Sequence, residues 1–364
     1  MVKIRSKVIS VLVLATWCAA VLGASEARAC VVCVPYPKVT HADTLLASEN
    51  VVLAREDPAR PFTLAIVEVL KGSTGDDSTG VFLPSVNRRQ LKLNAADGIV
   101  LVQRDGAWER LTYASPEYKA FIGEILAHAV NWRGDSGARS RFDYFASRLN
   151  DEHAGIRQQA YLEVGRAPYD WIKTVALEVP VERLRANLAD YRFIEWHRLY
   201  ILMLGQSKED RDRAYIREKF ERAAHYRSTI NLSAWATAYV EAYPVVAIDR
   251  IENWYFKDAE RTRAELEEIL RAFSVLTNSD RLLVSQRTAE LRRRLAGAYA
   301  SLLEHHPGMS GWVANDLRRW ERRVLVERLK EIRRNKIALD PASAFAVDSY
   351  LKLAAGFAAL DSTH

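Results

Sequence analysis

Two cysteines near the start of the chain are spaced so that they can bond to each other or hold a metal ion together. Cys30 and Cys33 are separated by two residues, and the third cysteine, Cys18, belongs to the first 29 residues. In an exported chain such a pair favours a structural disulfide. A redox couple, or a metal or partner contact that includes the nearby His41, is the alternative. A disulfide across so short a loop adds little global stability, because loop-closure entropy grows with loop length.

Arginines near the end of the chain form a second candidate site. Between Arg318 and Lys336 there are nine basic and three acidic residues. The residues that we expect to contact an anionic partner are Arg292, Arg293, Arg318, Arg322, Arg323, Arg333 and Arg334. Because long arginine stems also cover neighbouring helices, a solvated helical face is the alternative. An anionic surface such as lipid, an envelope polymer or an acidic protein patch suits an exported protein better than nucleic acid does.

Catalytic patterns occur only as fragments. Residues 134–137 imitate the nucleophile segment of trypsin-like proteases and residues 223–225 imitate their histidine segment, but in the opposite order along the chain. A triad is defined by geometry, so the sequence predicts no catalytic residue and no cofactor. The alternative is an enzyme whose site is assembled from scattered residues. Its cleft would be lined by Glu195, Trp196, His197, Tyr239, Glu241 and Tyr243.

The first 29 residues have the three parts of a secretory signal. Lys3, Arg5 and Lys7 precede an apolar run over residues 8–22, and Ala-Arg-Ala at residues 27–29 offers a cleavage step. The apolar run is shorter than the roughly 20 residues that a spanning helix needs. We therefore expect a periplasmic or secreted protein with no transmembrane segment after cleavage. The signal supplies half of the formal net charge of +6, so the basic character is partly a targeting feature.

Strand-forming patterns follow the signal, and we predict a small β-barrel or sandwich over residues 30–114. Apolar and β-branched runs occur at residues 50–54, 62–70, 81–83 and 98–102. Turn residues such as Asp105-Gly106 separate them. Since single cores seldom grow beyond ~250–300 residues, we expect a second domain after this one.

The motifs at the start of this region occur in a recognisable order. Cys30 is followed by Ala42-Asp43 before the first strand and by Lys71-Gly72 after a later one. This order resembles the netrin-like barrel of tissue inhibitors of metalloproteinases, which implies an OB-like barrel. The inhibitors have Cys-x-Cys and downstream partner cysteines, which this chain lacks, so the resemblance does not extend to protease inhibition. Metal-dependent partner or protease binding through the Cys30 amino terminus is kept as an alternative function.

At Ser115-Pro116 the pattern changes from strands to helices, because serine is a good N-cap and proline suits the first helical position. Helices are predicted at residues 141–149, 153–166, 181–189, 193–205, 210–226, 229–242, 258–276, 280–304, 311–333 and 342–356. Residues 132–137 are predicted to be a surface linker. The short connections favour antiparallel neighbours in a helical domain over residues 115–358, with a tail at 359–364.

One helical segment carries a repeat-like pattern. The residues concerned are Asp151, Ile156, Arg157, Ala160 and Gly165. Their spacing resembles the second half of a HEAT repeat, in which an Asp opens the turn, an aliphatic-Arg pair starts the inner helix, and a small Ala allows close contact. A weaker match follows at residues 198–205. The resemblance implies a stacked helical array, and an irregular bundle is the alternative.

The sequence as a whole predicts an α+β, mostly α protein in which a small N-terminal barrel precedes a HEAT-like array. The function that we expect is an exported, non-enzymatic scaffold that binds another envelope or extracellular protein with its helical surface. The HEAT-like pattern places Ala160 at a close helix contact and the neighbouring Gln159 on an exposed face, since adjacent helical residues point about 100° apart.

The signal and the cysteine pair can be tested together by intact-mass measurement of the exported protein. We expect Cys30 to be the first residue and the mass to be two protons below that of the reduced chain, because a Cys30–Cys33 disulfide removes two hydrogens. Retention of residues 1–29, or a diacylglyceryl group on Cys30, would contradict export as a cleaved, unlipidated protein.

Overall fold

The computed structural model describes residues 39–73, 78–132, 134–277, 286–320, 323–335 and 337–361. The signal, Cys30, Cys33 and Arg322 lie outside the described residues. The chain is mostly helical, with one small antiparallel sheet near the N-terminus. The α+β, mostly α fold class is therefore confirmed.

The sheet has five antiparallel strands and is curled into a half-barrel. They are β1 (Asn50–Asp57), β2 (Arg60–Lys71), β3 (Ser78–Phe82), β4 (Gly98–Arg104) and β5 (Ala107–Ala114). Their order is β3-β2-β1-β4-β5. Successive side chains of the central strand β1 point to opposite faces of the sheet, and both faces of this strand are buried. Val51 and Leu53 join the large core that continues into the helices, whereas Val52 and Ala54 join a smaller core on the other face.

Two helices interrupt the region in which strands were predicted. They are α1 (His41–Ala47) and α2 (Ser85–Leu93). The expectation of strand structure from Ala42 onward was wrong for α1, because Thr40 and Asp43 form a capping box that starts a helix. Its last turn is closed by the Ser48 N–H, which donates to the Thr44 carbonyl at 3.0 Å.

The rest of the described chain is helical. The helices are α3 (Pro116–Ala127), α4 (Gly134–Ala146), α5 (Ala154–Gly165), α6 (Tyr169–Val175), α7 (Val181–Ala189), α8 (His197–Leu204), α9 (Asp210–His225), α10 (Leu232–Ala242), α11 (Pro244–Ile251), α12 (Arg263–Thr277), α13 (Gln286–His305), α14 (Ser310–Arg319), α15 (Val326–Arg334) and α16 (Pro341–Asp361). Short 3-10 helices span Tyr191–Trp196 and Pro307–Met309, and a π-helical turn, Glu252–Phe256, extends α11.

One of the helix predictions and the linker prediction need correction. The helix expected at residues 311–333 is divided into α14 and α15, and Leu325 before α15 has a left-handed φ of 61°. Residues 132–137 are not a surface linker, because Trp132 is buried and α4 begins at Gly134. A Cβ on Gly137 would lie 2.4 Å from the Trp132 backbone, so only glycine allows this close turn.

A buried charge cluster joins α1 to the helical part of the chain. Glu163 on α5 has a side chain that is only 7% exposed, and it accepts hydrogen bonds from the Thr40 hydroxyl and from Arg141 on α4. The same Arg141 donates to Asp43 on α1 at 2.7 Å, and Arg166 donates to its other oxygen. Burial opposes ionisation of Asp43, but the Thr40 N–H and Arg141 hold its pKa below the ordinary value.

Further along, the chain forms successive helical hairpins, in which α7, α9, α11 and α13 lead into α8, α10, α12 and α14. The second helices α8 and α10 run parallel. Arg198 near the start of α8 lies 3.4 Å (Nε to Oδ1) from Asn231, which precedes α10. Gly205 at the end of α8 packs against Ala238 in α10, where a Cβ on the glycine would lie 3.0 Å from the Ala238 Cα.

The same side-by-side packing continues through the next hairpins. The Ser233 N–H of α10 donates to Glu268 of α12 at 3.3 Å. The Ser274 hydroxyl of α12 donates at 3.0 Å to Asp316 of α14, which is fully buried. Within the last hairpin, Tyr299 of α13 donates to the other Asp316 oxygen at 2.7 Å. The bonds of Ser233 and Ser274 thus join neighbouring hairpins in addition to their apolar packing.

The packing of α5 confirms that Ala160 lies at a helix contact, but it contradicts the expectation that Gln159 is exposed. Ala160 is completely buried. Gln159 is also buried, and its side-chain oxygen accepts the His41 N–H of α1 at 3.0 Å. The expectation of an exposed Gln159 was wrong because α1 covers that face of α5, which the helical period of α5 alone does not reveal.

This arrangement predicts the order of three substitutions on α5. Ala160→Leu should lower the free energy of unfolding by ~1–3 kcal/mol through overpacking. Gln159→Leu should cost a similar ~1–3 kcal/mol, because the part-buried His41 N–H loses its acceptor on the buried Gln159 side chain. Gln158→Leu is the matched control, since Gln158 is exposed and should change stability by less than ~0.5 kcal/mol. Chemical denaturation measures all three, and a silent Gln159→Leu would contradict the docking of α1 on α5.

Candidate functional site

The turns inside the four hairpins lie along one edge of the helical stack. We call residues 190–196, 226–231, 257–262 and 306–309 together the turn edge. Each segment connects the first helix of a hairpin to the second, so the parallel packing of successive hairpins brings the segments next to one another. Direct bonds between neighbouring turns confirm this placement.

Side chains of one turn bind backbone carbonyls of the next. Arg227 donates to the Glu260 carbonyl. Arg261 donates in the reverse direction to the Ala224 carbonyl, at 3.0 Å. His306 Nε2 lies 2.9 Å from the Asp258 carbonyl, which can only accept, so this nitrogen carries the proton. These bonds fix the spacing of the last three turns, and the Ala224 and Asp258 carbonyls accept them in addition to the backbone N–H of Arg227 and of Arg261 respectively.

The turn between α9 and α10 has a strained backbone. Arg227 and Asn231 have φ angles of 53° and 54°, in the left-handed region that residues other than glycine seldom adopt. Asparagine tolerates this conformation better than arginine does. Such strain persists only where the surrounding structure fixes it. Here the Arg227 side chain is fixed on the Glu260 carbonyl and the Asn231 side chain on Arg198.

Large apolar side chains project from the turn edge into solvent. Tyr191 is 81% exposed and Ile194 60%, both in the first turn, and Tyr226 and Ile230 in the second are 72% and 73% exposed. Single exposed apolar residues are ordinary on protein surfaces. These four side chains lie on two successive turns of hairpins that are in contact through Arg198 and Asn231, and we call them the row. Exposed apolar side chains that cluster mark contact surfaces.

A buried ion pair supports the third turn. The Glu265 side chain is 2% exposed and lies 2.7 Å (Oε1) from Arg261 Nη1. Thr262 donates both its N–H, at 2.9 Å, and its hydroxyl, at 2.8 Å, to the other carboxylate oxygen. Burial alone would raise the pKa of Glu265, but these donors and Arg261 hold it below the ordinary value.

A hollow of about 180 Å³ lies between the third and fourth turns. It is lined by Arg261, Arg263, Leu266, His306, Gly308 and Met309. Its volume is below the range of ~300–1,000 Å³ that ligand pockets usually have. Arg261 is paired with Glu265, and Arg263 with Glu267 and Asp340. The hollow therefore does not present free cationic groups to a small ligand.

The described arginines of the predicted anionic-partner site differ in their bonding partners and exposure. Arg292 donates to the Thr277 carbonyl, Arg293 pairs with Glu290, and Arg333 pairs with Asp348 through two bonds of 2.8 and 2.9 Å. Arg318, Arg323 and Arg334 are exposed. The arginines thus lie on α13, α14, α15 and the segment before α15, and several are occupied by internal bonds. Binding of an anionic partner there stays a prediction.

The residues of the hypothetical enzyme cleft do not converge. Glu195, Trp196 and His197 lie at the start of α8, whereas Tyr239, Glu241 and Tyr243 lie at the end of α10. Because α8 and α10 run parallel, the two groups occupy opposite ends of the helix pair. His197 Nε2 is shared between the Asn187 and Asp190 carbonyls, at 3.2 and 3.3 Å, so it is the protonated nitrogen and acts as a structural donor.

Within the described ranges, no group of three His, Cys, Asp or Glu side chains is arranged to hold a metal ion. The same residues include no helix with the length and apolar character needed to cross a bilayer.

Comparison of the chain with models of protein families, with curated proteins and with solved structures finds no match.

Sequence reasoning missed the turn edge. Several of its residues were assigned to the predicted helices at 193–205, 210–226 and 229–242, so they were not recognised as turns. The available signal was local and confined to the second turn: Tyr226 and Ile230 are the large apolar residues of a segment that otherwise holds Arg, Ser, Thr and Asn. In the first turn Tyr191 and Ile194 lie beside Phe193 and Trp196, so composition does not separate the exposed side chains from the covered ones.

The ion pair beneath the third turn predicts a contrast between two neighbouring arginines. Arg261→Met should lower the free energy of unfolding by ~3 kcal/mol at neutral pH, because it leaves the Glu265 charge buried with only Arg227 nearby, at 3.6 Å. Arg263→Met is the matched control: Arg263 is 58% exposed, so its loss should cost ~0–1 kcal/mol.

The same pair predicts a dependence on pH. The lowered pKa of Glu265 stabilises the fold above the ordinary glutamate pKa, and this contribution is lost as the pH falls through the lowered value. In Arg261→Met the folded-state pKa of Glu265 rises, because its main cation is removed. The difference in free energy of unfolding between this variant and the wild type should therefore narrow from pH ~7 toward pH ~4. Denaturant titrations at several pH values measure the gap, and a constant gap would contradict the ion pair as the stabilising contact.

Proposed function

We propose that this chain is an exported, non-enzymatic scaffold that binds another protein through its turn edge. The observation that carries the proposal is the row formed by Tyr191, Ile194, Tyr226 and Ile230 on two successive turns of the stack. The HEAT-like pattern around Ala160 supports the same function, since stacked helical hairpins commonly bind proteins on an extended surface. The predicted signal at residues 1–29 favours a partner in the envelope or the extracellular space.

The row has the physical properties of a protein-binding surface. Tyrosine offers a large apolar ring and a polar hydroxyl, and it loses little conformational entropy on binding because it has few rotatable bonds. The bonds of Arg227 and Arg261 to neighbouring carbonyls fix the turns before a partner arrives. A preorganised surface avoids part of the entropic cost of ordering loops on association.

The proposal predicts where a partner crosslinks. A photoreactive residue placed at Tyr226 or Ile230 should capture the same protein from envelope extracts. Placed at Phe345, which is 72% exposed on α16, it should not capture that protein. Crosslinked products are identified by mass spectrometry. Capture of one protein equally from all three positions would contradict a binding site on the turn edge.

The captured protein then allows the energetic test. Tyr226→Ser and Ile230→Ser should each weaken its binding by about tenfold or more, as for central interface residues, while the melting temperature stays unchanged because both side chains are exposed. Phe345→Ser, which removes an equally exposed ring, should leave the affinity unchanged. An unchanged affinity for both turn-edge variants in titration calorimetry would reject the proposed surface.

A further inference from the structure

Two phenylalanines stack in solvent at one end of the half-barrel. Phe62 near the start of β2 and Phe82 at the end of β3 have ring centroids 6.1 Å apart and ring planes within 9° of parallel. Phe82 is 66% exposed, and Val86, in the first turn of α2, is 59% exposed. Phenyl rings have no hydrogen-bonding group, so this patch offers only apolar surface to whatever it contacts.

The backbone holds Phe62 in an unfavourable conformation. Its φ is 66°, which is rare for a bulky residue. The Phe62 N–H donates to Glu56 at 3.2 Å, and its carbonyl accepts the Leu83 N–H at 2.8 Å. Arg88 covers one face of the ring with its guanidinium 4.3 Å from the centroid. The strained residue is thus fixed from three sides while its ring stays 37% exposed.

Basic residues lie on the elements that carry the phenylalanine pair and on those next to it. Arg60 of β2 is paired with Asp57, and Arg88 of α2 with Glu56. The other basic residues are Arg89 and Lys92 on α2 and Arg110 on β5. In the part of the chain that the structure describes, none of these three forms an ion pair, although Arg110 donates to the Asn87 side chain at 2.8 Å. The end of the sheet therefore combines exposed rings with a net positive charge.

We propose that this end of the half-barrel docks on an anionic lipid bilayer. The rings of Phe62 and Phe82 and the Val86 side chain would enter the boundary between headgroups and acyl chains, and Arg89, Lys92 and Arg110 would pair with lipid phosphates. Apolar rings beside a rim of Lys and Arg are the combination that interfacial binding requires, because burial and electrostatic attraction then act together. An acidic protein would also attract the cations, but rings that offer no hydrogen bond favour the lipid.

The proposal is tested by vesicle flotation, with protein purified after the cell has processed it. Vesicles of phosphatidylcholine with phosphatidylglycerol should bind the protein, and vesicles of phosphatidylcholine alone should bind it much more weakly. Arg89→Gln and Lys92→Gln should each weaken binding to the anionic vesicles about fivefold, the effect of one charge near such a surface. Phe82→Ser should weaken it by at least a comparable factor. Absence of binding to the anionic vesicles would overturn the proposal.

Matched variants elsewhere on the chain locate the surface. Phe345→Ser removes an exposed ring and Lys352→Gln removes an exposed cation, both on α16 far along the chain. Both variants should bind the anionic vesicles as the wild type does. Arg334→Gln tests the predicted anionic-partner site: if it weakens binding while Phe82→Ser and Lys92→Gln do not, the membrane contact lies on the C-terminal arginines and the proposal is wrong. Circular dichroism confirms that each variant is folded.

Discussion

The buried Glu163 carboxylate is the constraint on which the arrangement of the sheet and the first helical segments depends. A charge with so little solvent exposure needs partners, and they come from α1 through Thr40 and from α4 through Arg141. Since Arg141 also binds Asp43, one cation holds three segments together. Removing one member would leave another charge buried without compensation, which costs more than the pair itself contributes. The network therefore specifies how the elements meet more than it adds net stability.

The helical stack is fixed by a second set of bonds at its turns. Arg227 of the second hairpin binds a carbonyl of the third, Arg261 of the third binds one of the second, and His306 of the fourth binds one of the third. Arg227, Arg261 and His306 are occupied by these internal bonds, whereas Tyr191 and Tyr226 are exposed to solvent. Polar residues of the turn edge thus set the spacing of the turns, and the apolar residues are what a partner would contact.

Much of the fold could be predicted because it rests on local patterns. The strand runs and the Ser115-Pro116 helix start follow from local composition and capping, the burial of Ala160 follows from the resemblance to a HEAT repeat, and the structure confirms them. Two errors are local, because the capping box that starts α1 and the left-handed Leu325 before α15 were not recognised. Others arise where a distant segment decides the outcome: Gln159 is buried because α1 covers it. The turn edge could not be predicted for the same reason, since its contacts join residues 33 to 48 positions apart in the chain, beyond the reach of local periodicity.

Because β1 is buried on both faces, the sheet is not fully covered until the helices that pack on it have been synthesised. A chain synthesised or threaded from its N-terminus completes the strands before the helices that cover Val51, Leu53, Val100 and Val102 have emerged. During that interval α1 alone, with Ala42 and Leu45, covers this face of the sheet, and the rest of the face is open to wrong associations. The next helices, α3, α4 and then α5, supply Phe121, Phe142 and Ile156 to the same core. The order of elements along the chain therefore keeps the vulnerable interval short, because the covering helices follow the last strand directly.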